Sequence, residues 1–534
     1  MSKPAASKNV YGKYTPGDYH YNCSSPHHAG MLGFGKGIFH TQEEFESLVT
    51  AMHEHCHMLQ ERLQGFSCWR AFLTDRMAEG VSTILKETPN AIQTKDIPLF
   101  VKPKVHGDRI TIDAGWPFGD ALQAQFDRES LDRASLSDVV TRQELLRQIE
   151  IDQEFEKLCT EETLSLTTLD LIEGHAALLT EYWILKRMDE EPDRFDETVV
   201  KNSQSIFRVE SMPALYSKAL KVLLHMMKWA GLRFELEDWS ASFYSKMKHG
   251  EVYELAMFLI DYSLHIPPYP AQRSPVDRNH LWDIHPPLRF VAFCLAAIQG
   301  FKQRDKTLFH SDLLYSKGSE SLARRANQSR PSSGPLTFLS YEDTNKMWWQ
   351  LLDVWPLKEE FPEIHAIRRA CAKHRLDYPS HWARNSPLTT AMKCNLPLIS
   401  LTPHGAIPYA YFSDEWMSKF TAVELEAYQQ PDPHSTLEQV LEKTAHLPAT
   451  FMIARILEES VRHQMLHRGA SMMLSSGQMS CPLTDEIGSY FGCPVRTFSC
   501  KFLTSPDGLP SEKCRLRNIF ERYFGINATD EVEQ

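Results

Sequence analysis

The sequence contains neither a long apolar run nor an apolar leader. The chain has 534 residues, and its most apolar stretch, residues 288–298, already carries Arg289. That stretch is too short for a membrane-spanning helix, which needs roughly 18–20 apolar residues. The N-terminal sequence, MSKPAASKNVYGKYTPGDYHYN, lacks the apolar core of a secretory signal. We therefore expect no membrane association and a cytoplasmic location.

A concentration of basic charge is also missing. The chain carries 57 Lys and Arg against 69 Asp and Glu, a net charge of −12, and no basic stripe stands out. Because binding to nucleic-acid phosphates usually requires concentrated Lys and Arg, we expect no nucleic-acid partner.

Close pairs of cysteines are missing as well. The eleven cysteines are scattered, and in a chain without a secretory signal they are expected to be reduced thiols. Four of them lie near the C-terminus, at Cys481, Cys493, Cys500 and Cys514. They could hold a structural zinc ion, but without a CxxC pair the pattern favours this only weakly.

Strand patterns are rare, and helical periodicity dominates. The composition, 42% hydrophobic and 24% charged, is that of a globular protein with a sizeable core. A mainly α protein is predicted, with a helical metal-site core and a small β-hairpin at 98–114. Residues 317–336 lack a hydrophobic pattern, which predicts a linker or long loop between a catalytic region at 1–316 and a helical C-terminal region at 337–534.

The strongest chemical signal is His53-Glu54-His55-Cys56-His57. It lies in a predicted helix over 42–64, where His53 and His57, four residues apart, share one face. Two imidazoles with a third protein ligand and an open position for water would form a hydrolytic zinc site. Glu54 could then take a proton from that water. Apolar residues form a stripe along this helix: Phe45, Leu48, Met52 and Leu59. The alternative is a His-rich turn of a surface helix; in either case His55 and Cys56 point away from the shared face and are not expected to bind metal.

Glu173 is the best candidate for the third ligand. In a helical projection it shares a face with Leu166, Leu169, Ala176, Ala177 and Thr180. A carboxylate among apolar side chains needs a partner, which could be the metal. The alternative is that Glu173 is paired with a buried Arg or extends to solvent at the rim. Gly174 beside it predicts a close helix contact, for which the His53 helix is a candidate. His175 is a second-choice ligand because it projects away from Glu173, and Glu181 could orient a ligand histidine.

A weaker cluster precedes and opens a predicted helix at 286–299. His280, His285 and Arg289 could line a cleft, and one of them could stabilise an oxyanion. His285 and Arg289 are the additional catalytic candidates. The alternative is that His285 is a surface histidine that caps the helix, ahead of Pro286 and Pro287.

The segment HEHCH resembles the HExxH signature of zincin metallopeptidases, and Glu173-Gly174-His175-Ala176 resembles the EGxA segment of the gluzincins. The resemblance covers only these two motif helices. It implies a zincin-like α+β catalytic region in which His53, His57 and Glu173 bind Zn²⁺. It also implies that Glu54 is the general base and that the substrate is a peptide or protein.

Three functions are consistent with these motifs. The first is a zinc-dependent hydrolase, a peptidase in particular. The second is a di-iron carboxylate oxygenase in a helical bundle, with ligands drawn from Glu54 and His57; a second Glu-x-x-His is missing, and Glu459 with His463 is one residue too long. The third is a binding or scaffolding protein with a structural metal or none. The sequence leaves the substrate and the oligomeric state open.

Overall fold

The structure is a computed structural model of the chain. It describes residues 42–87, 161–196, 212–229, 251–268, 284–308, 310–328, 338–356 and 362–380, with residues 121, 124, 128, 131–139 and 358 and six short strands.

The described part of the chain is mostly helical, which confirms the prediction of a mainly α protein. Its α-helices are α1 (Gln42–Leu63), α2 (Gly65–Glu87), α3 (Leu136–Val139), α4 (Glu161–Leu164), α5 (Thr168–Glu190), α6 (Ala214–Trp229), α7 (Glu251–Leu264), α8 (Pro286–Lys302), α9 (Ser311–Leu313), α10 (Ser319–Gln328), α11 (Tyr341–Leu351) and α12 (Pro362–Asp377). Short 3-10 turns occur at Pro192–Arg194, Lys306–Leu308 and Leu352–Val354, and a π turn occurs at Leu314–Gly318. No helix in these described ranges is long and apolar enough to cross a membrane.

The described strands are three to five residues long: β1 (Gly12–Thr15), β2 (His20–Cys23), β3 (Lys104–His106), β4 (Arg109–Thr111), β5 (Leu398–Thr402) and β6 (Gly405–Tyr409). One sheet has the order β1-β2-β5-β6, in which β2 and β5 are parallel and the other pairs antiparallel. β3 and β4 pair antiparallel inside the stretch 98–114, whose remaining residues lie outside the described ones.

Helix α5 lies at the centre of the main core and packs against α1, α6, α7 and α8. It begins at a capping box in which the Thr167 side chain accepts from the Asp170 backbone N–H and the Asp170 side chain accepts from the Thr167 N–H. Such a box supplies partners for the first N–H groups of a helix. Its start is therefore fixed by local sequence, while its position is fixed by burial on several sides.

Helix α1 buries the apolar stripe that the sequence predicts. Phe45, Leu48, Met52 and Leu59 are fully buried in the main core. The alternative of an ordinary surface helix is wrong, because even His55 and Glu54 are only 3% and 5% exposed. The helix ends one residue before the predicted 42–64 boundary, at Leu63.

Gly65 permits a close approach of other groups at the junction between α1 and α2. A Cβ at this position would overlap the Ile266 carbonyl oxygen and lie 2.9 Å from Trp348 Nε1. Those two groups are themselves hydrogen-bonded at 2.8 Å, so neither can move freely. The Gly65 N–H donates to His265 Nδ1 at 3.1 Å, which ties the junction to the end of α7.

Part of the predicted linker at 317–336 is helical. Residues 319–328 form α10, and Leu322 and Ala326 are buried in the main core. The loop interpretation is wrong over these residues because small and apolar side chains at helical spacing provide a narrow buried face. Residues 329–337 lie outside the described ones, and the division of the chain into two regions stays a prediction.

Candidate metal centre

Two histidines of α1 converge as the four-residue spacing predicts. The Nε2 atoms of His53 and His57 lie 3.0 Å apart, with the rings edge to face at 88°. Both side chains are largely but not fully buried, at 14% and 13% exposure. Two ring nitrogens this close require a proton or a shared cation between them, since two lone pairs would otherwise face each other.

Glu173 of α5 completes the cluster. Its Oε2 atom lies 3.0 Å from His53 Nε2 and 3.1 Å from His57 Nε2. The three atoms thus form a nearly equilateral triangle, across 116 residues of chain in the case of His57 and Glu173. The three predicted metal ligands therefore lie together, and they are the group of described residues able to hold a metal ion.

The size of the triangle suits a small divalent cation. Zinc–nitrogen and zinc–carboxylate bonds of about 2.0–2.2 Å in a tetrahedron place ligand atoms roughly 3.3 Å apart. The ligand atoms here are within a few tenths of an ångström of that spacing. The side chain of Glu173 is 18% exposed, so solvent reaches the cluster. This accessibility is what a site with an open position for water requires.

The apolar surroundings predicted for Glu173 are only partly right. Leu166, Ala176 and Thr180 are buried, whereas Leu169 is 49% exposed. The deviation is specific to Leu169, because its neighbours Thr168 and Asp170 in the same turn of α5 are buried.

Gly174 does permit a close helix contact, but with a different partner from the one expected. A Cβ at Gly174 would lie 3.3 Å from Ala219 Cβ and 3.4 Å from the Tyr216 carbonyl oxygen, both on α6. The proposal of the His53 helix as that partner was therefore wrong. The consequence for the site is that α6 approaches α5 beside Glu173.

This approach brings Tyr216 next to the cluster, a residue that sequence reasoning missed. Its ring lies 5.1 Å from the His53 ring, centre to centre. Burial, followed by the negative charges of Glu173 and Glu54, raises the pKa of Tyr216 to about 12. The hydroxyl therefore stays protonated at neutral pH and can donate a hydrogen bond. No local motif marks this tyrosine, because it comes from a third helix.

The charges of the cluster are strongly coupled. Burial lowers the pKa of His57, but the charge and hydrogen bond of Glu173 outweigh burial, and with contributions from Glu54 and Gln60 they raise it to about 9. Burial likewise raises the pKa of Glu173, and the two histidines outweigh it and hold that pKa well below its usual range. Without a metal, Glu173 is thus ionised and compensated by a proton on the histidines.

Glu54 lies close enough to the cluster to influence it electrostatically. It is buried, and its negative charge raises the pKa values of both His57 and Tyr216. It is not a member of the converging group, as expected for a residue one helical step from His53.

The other motif residues have structural partners. Cys56 is fully buried with its sulfur 3.7 Å from the Thr180 hydroxyl, and burial raises its pKa to about 12. His175 Nδ1 lies 3.1 Å from the amide nitrogens of both Gln60 and Gln64, so it is not a ligand. Neither Cys56 nor His55 belongs to the converging group.

Glu181 does not orient His57. Its carboxylate accepts a hydrogen bond of 2.8 Å from the Tyr253 hydroxyl on α7. The side chain found beside His57 is that of Gln60, whose Oε1 lies 2.8 Å from His57 Nδ1. The signal that could have revealed it is the i,i+3 spacing of His57 and Gln60 on one helix.

The structure does not bring His285 and Arg289 into the cluster. His285 is the N-cap residue of α8, followed by Pro286 and Pro287 as predicted, but it is fully buried, not at the surface. Burial lowers its pKa to about 4, although a backbone hydrogen bond with Ala134 opposes the shift. His280 lies outside the described residues.

Arg289 binds carbonyl oxygens at the C-terminal end of α7. Its guanidinium donates to the carbonyl oxygens of Ser263 and Tyr262 at 3.0 Å and of His265 at 3.2 Å. A cation at the C-terminus of a helix both satisfies free carbonyls and complements the helix dipole. The expectation that Arg289 lines a catalytic cleft is therefore corrected to a role in terminating α7. Glu459, His463 and the four C-terminal cysteines lie outside the described residues.

Comparison of the chain with family models, with curated proteins and with solved structures finds no match.

Proposed function

We propose that this protein is a zinc-dependent hydrolase, with a peptide or protein as its substrate. The observation that carries the proposal is the convergence of His53 Nε2, His57 Nε2 and Glu173 Oε2 within 3.0–3.1 Å of one another. Two imidazoles and one carboxylate are a ligand set of catalytic zinc sites, which keep a position for water.

Solvent access supports catalysis over a structural role. Structural zinc sites are closed by four protein ligands. Here three groups converge, and each retains 13–18% side-chain exposure. The described residues offer no second group of three metal-binding side chains, which makes the di-iron alternative less well supported than a single-metal site.

In this proposal the zinc site and Glu54 have separate roles in amide hydrolysis. A bound Zn²⁺ would polarise the substrate carbonyl and lower the pKa of a water molecule toward ~7. Glu54 would accept a proton from the attacking water as the water oxygen adds to the carbonyl carbon. It would then return the proton to the nitrogen that leaves as the C–N bond breaks.

Tyr216 is suited to hold the negative oxygen that develops on the carbonyl. Its ring lies 5.1 Å from the His53 ring, and its hydroxyl is protonated at neutral pH, since burial and the charges of Glu173 and Glu54 raise its pKa further, to about 12. A preorganised donor at a developing oxyanion typically contributes about 10²–10³-fold to the rate. In this proposal Tyr216 takes the part first considered for His285 and Arg289. The hairpin near 98–114 as an edge along which a peptide binds is a further part of the proposal.

The test combines metal analysis with one substitution. Purified protein is expected to contain one zinc per chain and to cleave members of a pool of short synthetic peptides, detected by mass spectrometry. Glu54→Gln should retain the zinc and lose about 10²–10⁴-fold in rate, the usual contribution of a general base. Two irons per chain would contradict the proposal, and so would full activity of Glu54→Gln. Glu61→Gln is the matched control, since Glu61 is a buried glutamate on the same helix.

A further inference from the structure

A chain of buried hydrogen bonds joins His57 to the helix that carries Glu173. Gln60 of α1 is 2% exposed and contacts three groups. Its Oε1 lies 2.8 Å from His57 Nδ1, and its Nε2 lies 2.8 Å from the Ile172 carbonyl oxygen and 3.1 Å from His175 Nδ1.

The Ile172 carbonyl determines how the Gln60 amide is oriented. A carbonyl oxygen can only accept, so the amide nitrogen must face it and the amide oxygen must face His57. The amide oxygen in turn can only accept, so His57 must carry its hydrogen on Nδ1. The neutral ring then has its lone pair on Nε2, the atom that lies 3.1 Å from Glu173 Oε2.

The contacts of the neighbouring groups agree with this orientation. His175 is fully buried, and its Nδ1 lies 3.1 Å from the amide nitrogens of Gln60 and Gln64, which can only donate, so this nitrogen accepts. Gln64 Nε2 donates to the same nitrogen at 3.1 Å and to Asp261 Oδ1 at 3.2 Å. Asp261 also accepts from the Tyr341 hydroxyl at 2.9 Å. Reversing the Gln60 amide would place its oxygen against the Ile172 carbonyl oxygen and the His175 nitrogen, two acceptors.

We propose that Gln60 is a positioning residue that fixes His57 in the Nδ1–H tautomer, and that the Ile172 backbone carbonyl fixes the orientation of the Gln60 amide. This inference rests on the metal centre of the proposed function. Ile172 immediately precedes Glu173 in α5. Packing of α5 against α1 therefore both places Glu173 in the cluster and, through Ile172 and Gln60, directs the Nε2 lone pair of His57 toward the metal. Outer partners of this kind are typically worth 10–100-fold in metal affinity.

The experiment measures Zn²⁺ affinity by competition with a chromogenic chelator, and the melting temperature of the metal-free protein, in three variants. Gln60→Met removes the acceptor and should weaken Zn²⁺ binding about 10–100-fold. Gln60→Glu keeps an acceptor for His57 but sets oxygens against Ile172 O and His175. It should therefore melt at a lower temperature than the wild type while binding Zn²⁺ within about threefold of it.

Gln64→Met is the matched control, because Gln64 contacts the same His175 nitrogen but not His57. It should lower the melting temperature and leave Zn²⁺ affinity within about threefold of the wild type. If Gln60→Met binds Zn²⁺ as tightly as Gln64→Met, or if affinity merely follows melting temperature across the three variants, the inference is wrong.

The outcomes also separate this inference from the proposed function. The expected affinity pattern in a protein that cleaves no peptide would support the role of Gln60 and contradict the hydrolase. Peptide cleavage by the wild type, together with equal Zn²⁺ affinities of Gln60→Met and Gln64→Met, would support the hydrolase and contradict the role of Gln60. A wild-type chain that binds no Zn²⁺ contradicts both.

Discussion

His57 Nε2 lies 3.1 Å from Glu173 Oε2, although 116 residues separate the two along the chain. The contact joins α1 to α5, and both side chains retain some exposure to solvent, 13% for His57 and 18% for Glu173. The proposed metal centre depends on this contact between His57 and Glu173.

Glu173→Gln should abolish tight metal binding. The substitution keeps the shape of the side chain but removes the charge that balances the cation. Zn²⁺ affinity should fall by more than the roughly 10–100-fold that loss of an outer partner costs. Isothermal titration of metal-free protein measures this. Glu181→Gln is the control, since Glu181 is on the same helix and bonds to Tyr253; equal effects of the two substitutions would contradict the ligand assignment.

Zn²⁺ affinity should increase with pH. In the metal-free protein the pKa of His57 is raised from 6.5 to about 9, burial being outweighed chiefly by Glu173. Since the ion requires the neutral imidazole, binding displaces a proton below that pKa, and affinity should rise by up to about tenfold per pH unit between 6.5 and 9. Chelator competition at a series of pH values tests this, and a flat profile would contradict it.

The stability of the metal-free protein should change in the opposite direction. A pKa of His57 that is higher in the folded than in the unfolded chain means that the folded state binds more protons between 6.5 and about 9. The stabilisation is complete below pH 6.5 and is lost as pH rises through 9. Melting temperatures of the metal-free chain should decline over this window, and the decline should be shallower in Glu173→Gln.

Two glycines should respond differently to alanine. Gly65→Ala places a Cβ against the Ile266 carbonyl and 2.9 Å from Trp348 Nε1, so unfolding free energy should fall by about 1–3 kcal/mol or more. At Gly174 the closest atom is 3.3 Å away, and the gain in helix propensity of about 1 kcal/mol offsets the crowding. Denaturant midpoints measure both. A Gly65→Ala variant as stable as Gly174→Ala would disprove the close contact.

Arg289→Met should destabilise the fold and leave the metal centre intact. It removes a cation that donates to three carbonyl oxygens at the end of α7, with an expected loss of roughly 3 kcal/mol or more in unfolding free energy. Exposed Arg324 gives the control, and Arg324→Met should stay within about 0.5 kcal/mol of the wild type. If the Arg289→Met variant is folded but binds Zn²⁺ more weakly than the wild type, Arg289 contributes to the metal centre and the prediction is wrong.

Much of the site could be predicted from short-range rules. The spacing of His53 and His57 places them on one face of a helix, and the apolar stripe around them indicates which face is buried. Glu173 could be selected because a carboxylate near buried positions needs a partner. Tyr216 and Gln60 were missed for different reasons. The first comes from a distant helix, and the second is an ordinary amide whose role depends on the carbonyl it faces.

The sequence by itself determined helix α1, the start of α8 at Pro286 and Pro287, and the pairing of His53 with His57, because each depends on residues within about one helical turn of one another. Only the tertiary structure decided which distant groups meet those residues. It placed Glu173 against both histidines, brought Tyr216 alongside and assigned Arg289 to the end of α7. The physical reason is that the packing of side chains across the whole core determines which helices pack together. A small residue such as Gly174 allows one particular helix, α6, to approach closely, and the spacing of residues along one helix does not reveal which helix that is.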